Sequence, residues 1–250
     1  MSPSQAAADA VASRASAAKD LSELDRASSR CRACPRLVAW REEVAATRRA
    51  SFRAERYWGR PVPGFGPPDA RIAILGLAPA AHGGNRTGRI FTGDRSGDVL
   101  FAALHRAGLA NQPTSVSRDD GLELIDTRIF AAVRCAPPDN KPDPTERDTC
   151  SPWLRREMEL IRPTVRVVVA LGAFAWASLW PAIAAVYGAA PPRPRPAFGH
   201  GVRVELPGAP TALGCYHVSQ QNTFTGRLTP EMLDDVLATA RSAADLTAIR

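Results

Sequence analysis

The stretch RIAILGLAPAAHGGNRTGRIFTGDRSG, residues 71–97, decides how the rest of the chain is organised. It opens with an apolar run, Ile72 to Leu77, of the length expected for a buried strand. The next twenty residues contain five glycines and no apolar periodicity, and a helical pattern follows from Asp98 to Leu109. A strand, a Gly-rich loop and a helix in this order predict a loop that presents backbone N–H groups and side chains at the C-terminal edge of an α/β sheet.

This loop is too long to be a simple connector, and long loops in compact domains are usually functional or disordered. It carries many polar side chains beside a single aromatic one. An ordinary Gly-rich surface loop is the alternative, but it would leave these polar groups without a purpose. We therefore expect a functional loop. The polar residues are Asn85, Arg86, Thr87, Arg89, Thr92, Asp94 and Ser96, and the aromatic residue is Phe91.

Composition indicates a globular protein, because 45% of the 250 residues are hydrophobic. The net charge is +7, and nearly all the cations are arginines, since Lys19 and Lys141 are the only lysines. Arginine stacks on bases and binds phosphates, so the charge permits a nucleic-acid partner, although a GC-rich genome would also favour arginine. No apolar run reaches transmembrane length and the N-terminus lacks an apolar signal core. We therefore expect a cytoplasmic protein with no membrane partner.

Further apolar runs alternate with helical patterns along the chain, which predicts a three-layer α/β/α sandwich with a mainly parallel central sheet of about four strands. We expect residues 26–250 to form a single domain and a monomer. Residues 1–25 are rich in Ala and Ser and predict a flexible tail. The predicted strands after the first are Asp126 to Arg134, Val165 to Leu171, a short one at Val202 to Leu206, and Thr211 to His217.

Three polar segments stand at predicted strand ends, and in an open parallel sheet such ends converge on one crevice. Asp94, Asn140 and His217 can therefore meet although they are far apart in sequence. Each also has an ordinary structural interpretation. His217 can be a satisfied histidine at a strand end, Asn140 a turn former, and Asp94 only the cap of the following helix. Their coincidence favours a site. The segments are residues 76–97, 135–141 and 217–227.

Five cysteines in a chain without an export signal favour metal binding over disulfides. Cys31 and Cys34 are separated by two residues, whereas Cys135 and Cys150 are separated by fourteen. A zinc site more often has close spacing in both pairs, and wide spacing in one pair suits an iron–sulfur cluster without excluding zinc. Cys215 lies inside the last predicted strand and is expected to be a buried apolar residue.

Three motifs together resemble the family 5 (type B) enzymes of the uracil-DNA glycosylase superfamily, and the resemblance runs from about Cys31 to about Leu237. The resemblance implies a [4Fe–4S] cluster held by Cys31, Cys34, Cys135 and Cys150. It also implies a substrate pocket and an insertion loop after His217 that enters the duplex. The motifs are GLAPAAHGGNRTGRIFTGDRSG (76–97), CAPPDNKP (135–142) and YHVSQQNTFTGRLTP (216–230).

The sequence departs from the wider superfamily at two places. Early positions of the first motif carry a catalytic acid or its equivalent in other families, but here they are Leu77 and Ala78. Relatives place a uracil-reading Asn in the strand before Cys135, where this chain has Ala131 and Ala132. Asp94 and Asn140 remain as polar substitutes, as the family 5 resemblance also suggests.

The resemblance implies a DNA repair glycosylase that flips uracil, and other deaminated bases such as hypoxanthine, out of DNA and hydrolyses the N-glycosidic bond. The catalytic residues would be Asp94, which positions water and stabilises the sugar cation, His217, which hydrogen-bonds the departing base, and Asn140, which contacts the base or the water. The expected substrate-binding residues are Gly76, Leu77, Ala78, Pro79, Asn85, Phe91 and Ser219. The expected DNA-binding residues are Arg86, Arg89, Gln221, Asn222 and Arg227.

Two other classes of protein compete with this interpretation. One is a metal-stapled nucleic-acid-binding module without catalysis, which would not need Asp94. The other is a nucleotide-binding or phosphate-transfer enzyme that uses the Gly-rich loop. That second class lacks support, because the loop has neither the Gly-Lys-Ser/Thr ending of a phosphate loop nor a carboxylate cluster for magnesium.

Overall fold

The structure is a computed structural model that describes residues 3–246. Helices and strands alternate through most of the chain. The strands are β1 (Ile72–Gly76), β2 (Thr127–Ala131), β3 (Val167–Leu171), β4 (Arg203–Val204) and β5 (Thr211–Cys215). The helices are α1 (Pro3–Ala17), α2 (Leu21–Ser28), α3 (Pro35–Thr47), α4 (Gly84–Thr87), α5 (Arg95–Arg106), α6 (Pro144–Ile161), α7 (Ala173–Tyr187), α8 (Gln220–Phe224) and α9 (Pro230–Ala243), with short 3-10 turns at Ala50–Phe52 and Pro138–Asn140.

The strands form a five-stranded sheet in the order β2-β1-β3-β5-β4. The pairs β1–β2, β1–β3 and β3–β5 are parallel, and only the short edge strand β4 runs antiparallel to its neighbour β5. Side chains of β1, β2 and β3 are buried on both faces, as expected when helices cover a parallel sheet on both sides. The α/β/α sandwich is therefore confirmed, with one strand more than the expected four.

Two apolar clusters, one on each face of the sheet, form the core. The first contains residues of α1, α2, α6 and α7 together with Leu75, Phe130 and Val168. The second contains residues of α5 and α9 together with Ile74 and Val169. Because the strands β1, β2, β3 and β5 are parallel, the loops that follow them all leave the same edge of the sheet. None of the helices described is both long and apolar enough to cross a membrane.

The expectation of a flexible tail over residues 1–25 is wrong for the described part of that segment; residues 1 and 2 lie outside the described residues. Helix α1 packs along α6. Its buried stripe contains Val11 and Ala15 and continues at Ala18, directly after the helix. Helix α2 follows with Leu21 and Leu24 buried and Asp20 as its N-cap. The Ala-rich composition concealed this stripe, since residues at i, i+4 and i+7 share a helix face even when they are small.

A buried charge network joins α2, β2 and α6. Glu157 of α6 is fully buried and accepts hydrogen bonds from Arg128 Nε, at 2.7 Å, and from Arg134. Arg128 also pairs with Asp25 of α2, with 3.1 Å between Nη2 and Oδ2. Burial alone would raise the pKa of Glu157, but the charges of Arg134 and Arg128 outweigh it and the pKa is lowered. Burial, with the nearby charge of Glu157, raises the pKa of Asp25.

We predict that Glu157→Gln destabilises the fold strongly, because it leaves two buried guanidinium groups without their shared carboxylate. The loss should be roughly 3–5 kcal/mol, which for a chain of this length lowers the Tm by about 10 °C or more. The control is Glu159→Gln, two residues along the same helix, where the carboxylate forms an exposed pair with Arg156. Such surface pairs contribute about 0–1 kcal/mol. Equal melting temperatures for the two variants in thermal denaturation would contradict this account of the network.

Candidate active site

A pocket of about 1460 Å³ opens at the edge of the sheet where the parallel strands end. Its wall is formed by the turn after β1, the start of α5 and the 3-10 turn after β2. Asp94 and Asn140, which the sequence placed in one site, both line it. The other residues of its wall include Trp40, Arg49, Phe52, Glu55, His82, Gly83, Arg95, Asp98, Ser115, Val116 and Gln220.

Asp94 is held rigidly at this pocket because it is the N-cap of α5. Its Oδ1 accepts a hydrogen bond from the backbone N–H of Gly97 at 3.0 Å. A Cβ added to Gly83 would lie 1.9 Å from Asp94 Oδ2, so the carboxylate packs directly against a backbone that must be glycine. Burial raises the pKa of Asp94, and the backbone hydrogen bonds from Gly97 and Ser96 oppose the rise. The helix begins at Arg95, three residues before the predicted start, because Asp94 caps it.

Phe91 and Gly76 form a second group beside the pocket. Phe91 has a positive φ of 50°, which is uncommon for a residue with a side chain. A Cβ on Gly76 would lie 3.0 Å from the Phe91 ring, so a larger residue at the end of β1 would displace the ring by a few tenths of an ångström. Backbone carbonyls of Gly76 and Leu77 accept hydrogen bonds from Ala132 and Val133. The β1 end and the ring thus form one fixed surface. Ala78 and Pro79, which were also expected to bind substrate, lie in the turn that follows β1. Ala78 is partly buried and Pro79 is buried.

His217 follows β5 and lies beside Phe91, with 6.1 Å between the ring centroids. Burial lowers the pKa of His217 to about 4, so the imidazole is neutral at neutral pH. Its backbone carbonyl accepts a hydrogen bond from the Asn222 side chain at 2.8 Å, which fixes the start of the following loop. Within residues 3–246, His217 does not line the Asp94 pocket. The structure therefore brings Asp94 and Asn140 together in one pocket, whereas His217 packs against Phe91 outside the wall of that pocket.

Asn140 is exposed and ends the short 3-10 turn that follows β2. Its φ is 55° and that of Asp139 is 52°, a left-handed pair that Asn and Asp tolerate better than most residues. Asn140 therefore acts as the predicted turn former, and the turn points it into the Asp94 pocket at the same time.

Two arginines expected to bind DNA are each paired with a carboxylate of this chain, and Arg86 also lines the Asp94 pocket. Arg86 is 7% exposed and bonds to Glu55, to His82 O and to Gly93 O. Arg89 is 4% exposed and pairs with Asp120 at 2.7 Å. Each cation is neutralised by a carboxylate from a distant segment, which a motif alone does not reveal. Both arginines hold the Gly-rich loop in place.

Asn85, expected to bind substrate, is also occupied elsewhere. It is fully buried and its Nδ2 donates to the backbone carbonyl of Arg41 in α3 at 3.2 Å. Its Oδ1 has no hydrogen-bond partner among the described residues. Asn85 therefore ties the Gly-rich loop to the N-terminal segment rather than facing the pocket.

The loop after His217 carries one exposed apolar side chain at its tip. Phe224 is 68% exposed, and the guanidinium of Arg95 lies 5.5 Å from its ring centroid. Gln221 and Arg227 are exposed, as expected for residues that contact DNA. Ser219 is half-buried at the N-cap of α8. The side-chain amide of Asn222 is engaged by His217 O, so Asn222 shapes the loop and is not a free DNA contact.

Sequence reasoning missed several residues of the pocket. Arg49 and Arg95 line the pocket and are exposed, and Arg95 directly follows Asp94 in the sequence. His82 lines it and its Nδ1 lies 3.0 Å from the hydroxyl of Tyr57. Val116, 65% exposed, comes from a loop with no motif signal. Of these residues, only Arg95 could have been predicted from the sequence, because it directly follows Asp94.

The four cysteines of the two pairs line one small cavity. Burial, followed by the charges of Cys135 and Cys31, raises the pKa of the Cys34 thiol to about 12. Burial likewise raises the pKa of Cys135 to about 11 and that of Cys150 further. Cys215 is buried in β5, away from this cavity, as predicted.

Hydrogen-bond donors and buried cations point at the sulfur atoms. Arg41 is buried, and its Nη1 donates to Cys135 Sγ at 2.8 Å. The backbone N–H of Arg134 donates to Cys150 Sγ at 3.4 Å. Arg41 Nε, Arg134 Nε and Arg134 Nη1 are buried without a partner in the described part of the chain. No three His, Cys, Asp or Glu side chains within residues 3–246 are placed to hold a single metal ion.

Comparisons with known proteins agree with the motifs. The model of the uracil DNA glycosylase superfamily matches residues 63–241. The type-5 uracil-DNA glycosylase of Mycobacterium bovis is 57% identical over 232 residues, covering 93% of this chain and 85% of the relative. The proteins of the same name from Mycobacterium leprae and Thermus thermophilus are each 54% identical, covering 92% and 86% of this chain and 98% and 94% of the relatives. The chain therefore belongs to the uracil-DNA glycosylase superfamily, and its resemblance to the family 5 (type B) members is confirmed.

Proposed function

We propose that this protein removes uracil from DNA by hydrolysing the N-glycosidic bond, which leaves an abasic site and begins base excision repair. The names of its relatives support uracil in DNA as the substrate. The observation that carries the chemistry is the fixed, half-buried carboxylate of Asp94 in a pocket at the strand ends. A base inside a duplex cannot be reached, so the nucleotide must first be flipped out, at a cost of a few kcal/mol.

Asp94 provides the charge for the reaction. Bond cleavage leaves positive charge on the sugar and negative charge on the base. An ionised carboxylate at the pocket wall positions a water molecule and stabilises the sugar cation. The capping hydrogen bond from Gly97 holds the carboxylate in place, so little rearrangement is needed when charge develops. Asn140, in the same pocket, contacts either this water or the edge of the base.

His217 and Phe91 receive the base. The Phe91 ring offers a stacking surface next to the end of β1. His217 is neutral because of its burial, so it hydrogen-bonds the departing base oxygen as a neutral donor where negative charge grows. The exposed Phe224 and Arg227 on the following loop enter the gap that the extruded nucleotide leaves.

A nucleic-acid-binding module without catalysis is the competing function. Such a module would use Asp94 only as the cap of α5, and a partly desolvated carboxylate in the pocket would repel phosphate. The position of Asp94 in the pocket therefore favours the enzyme.

We also propose that hypoxanthine and other deaminated bases are substrates. Ala131 and Ala132, where relatives in the superfamily place a base-reading Asn, are buried and apolar. A site rejects analogues strongly when they leave its own buried polar groups unpaired, and these two positions offer none. The proposed substrate range is thus broader than uracil.

The first test replaces Asp94 by Asn, which keeps the capping acceptor and the shape but removes the charge. We expect single-turnover cleavage of uracil and of hypoxanthine in duplex DNA to fall roughly a hundredfold or more. Strand breakage at the damaged base after alkali treatment measures it. The control is Asp98→Asn, which removes a carboxylate from the same pocket wall but not from the capping position. A near wild-type rate for Asp94→Asn on both bases would rule out this mechanism.

The second test is the pH dependence of that rate. Burial raises the pKa of Asp94 above its ordinary value, so the active, ionised form is lost as the pH falls through the raised pKa. His217, with its pKa lowered to about 4, is neutral near neutral pH and does not titrate there. We expect a rate that is flat near neutral pH and decreases on the acid side, and that this decrease is absent in Asp94→Asn. A rate that increases on acidification, with the fold intact by circular dichroism, would contradict the assignment.

We further propose that Cys31, Cys34, Cys135 and Cys150 hold a [4Fe–4S] cluster with a structural role. The buried cation of Arg41 and the unpartnered donors around the cavity support an anionic centre there. Thiols whose pKa is raised by burial lose their protons when a metal is bound. A single zinc ion fits less well, because no three such ligands meet at one point in the described residues.

Purified protein should be brown, absorb broadly in the visible range and contain about four irons per chain. Removal of iron with a chelator should lower the thermal stability, because the cluster joins the segment at residues 31–41 to the sheet. Cys150→Ser should lose the colour, whereas Cys215→Ser should keep it. A colourless, fully active protein with stoichiometric zinc would overturn this proposal.

We infer that the protein acts as a cytoplasmic monomer on chromosomal DNA. The proposed substrate supports this location, and the completeness of the pocket within one chain supports the monomer.

A further inference from the structure

A second groove of about 1290 Å³ lies beside α2 and the edge strand β2, separate from the Asp94 pocket. We call it the Trp58 groove. None of its wall residues belongs to the three motifs on which the proposed function rests. The residues of its wall that matter here are Arg30, Trp58, Arg60 and Arg118.

The groove is positively charged. Arg30, Arg60 and Arg118 are exposed, and none of them forms a salt bridge with another described residue. The two acidic residues of the wall are already engaged: Asp25 pairs with Arg128, and Asp20 caps α2 by accepting from Glu23 N–H. Free guanidinium groups around a concave surface favour an anionic ligand that carries several charges.

Trp58 adds a fixed aromatic surface to this cation cluster. Its Nε1 donates to Pro61 O at 3.1 Å, and its backbone N–H donates to Arg86 O at 2.9 Å. Gly88 packs against the ring so closely that a Cβ there would lie 2.9 Å from it. The guanidinium carbons of Arg118 and Arg60 lie 4.7 Å and 5.5 Å from the ring centroid. Arginines beside an aromatic ring are the groups that bind nucleic-acid backbones and bases.

A short, rigid loop joins the groove to the Asp94 pocket. Val116 lines the pocket, and Arg118, two residues later, lines the groove. Two Cα–Cα steps span at most about 7 Å, close to two base-pair rises of about 3.4 Å. The carboxylate of Asp120 accepts from Val116 N–H at 2.8 Å, and buried Arg89 donates to both Asp120 and Arg118 O. DNA with a nucleotide in the pocket therefore passes the groove within a few bases.

We propose that the Trp58 groove binds the DNA backbone that flanks the extruded nucleotide, with Arg30, Arg60 and Arg118 on phosphates. This inference rests on the proposed function, since it takes DNA as the substrate. An acidic protein surface is the other possible occupant. The aromatic ring and the direct continuity with the pocket favour DNA.

The test compares Arg60→Ala/Arg118→Ala with a matched control, Arg162→Ala. Arg162 is also exposed, lies 5.4 Å from the ring centroid of Tyr187 and ends α6, so it lies at the opposite edge of the sheet. Binding of the full chain to duplexes with a stable abasic-site analogue is measured by fluorescence anisotropy over a range of salt. One duplex carries about ten base pairs on each side of the analogue, one helical turn. The short duplex keeps about ten base pairs on one side but only about one, roughly 3 Å, on the side that would face the groove, and it is made in both orientations.

With the long duplex, the double variant should bind roughly tenfold more weakly, and its log–log salt slope should fall by about 1.8, twice the value for one phosphate contact. The control should match the wild type. With the short duplex, in the orientation that removes the groove side, the three proteins should differ much less.

An unchanged salt slope in the double variant would overturn the proposal and leave the groove to a protein partner. A loss of affinity equal on both duplexes would also overturn it, since the arginines would then act within the pocket. Uracil excision by the wild type is scored in parallel. A wild-type chain that leaves uracil intact, while groove-dependent binding persists, would contradict the proposed function and support the groove.

Discussion

The carboxylate of Glu157, buried between two arginines, is the interaction on which the arrangement of the N-terminal half depends. Through Arg128 and Asp25 it fixes α2, which leads into Cys31. Through Arg134 it fixes the residue before Cys135, and Glu157 itself lies two turns after Cys150 in α6. A buried charge without its partner is costly, so these segments have one mutual placement in which all the charges are paired. That placement is also the one that brings the cysteines around a single cavity.

Arg41 links the cysteine cavity to the active site through two hydrogen bonds. Its side chain donates to Cys135 Sγ, and its backbone carbonyl receives the amide of Asn85. Asn85 lies in the short helix α4, two residues after Gly83, whose backbone packs against the Asp94 carboxylate. A centre with no part in the chemistry can therefore influence catalysis by position alone, because buried, close-packed groups transmit small displacements.

Local patterns in the sequence were sufficient for the sheet and for the location of the site. Apolar runs located β1, β3 and β5 within a few residues, and the rule that parallel strands end at one edge located Asp94 and Asn140. The roles of Arg86, Arg89 and Asn85 were not predictable in this way. Their partners, Glu55, Asp120 and Arg41, lie 31, 31 and 44 residues away in sequence. The sequence of a Gly-rich motif does not show whether its arginine binds a phosphate or a carboxylate of the same chain.

The role of Asp94 as a helix cap and its proposed catalytic role depend on each other. Burial shifts the pKa of Asp94 upward and that of His217 downward, so desolvation alone would favour the neutral form of both groups. A neutral histidine is what a hydrogen-bond donor to the base requires, but the acid must remain charged to stabilise a sugar cation. The N-terminus of α5 supplies what the carboxylate lacks, since its free backbone N–H groups and its dipole stabilise negative charge. Capping is therefore the means by which a partly desolvated carboxylate can stay ionised beside the sugar.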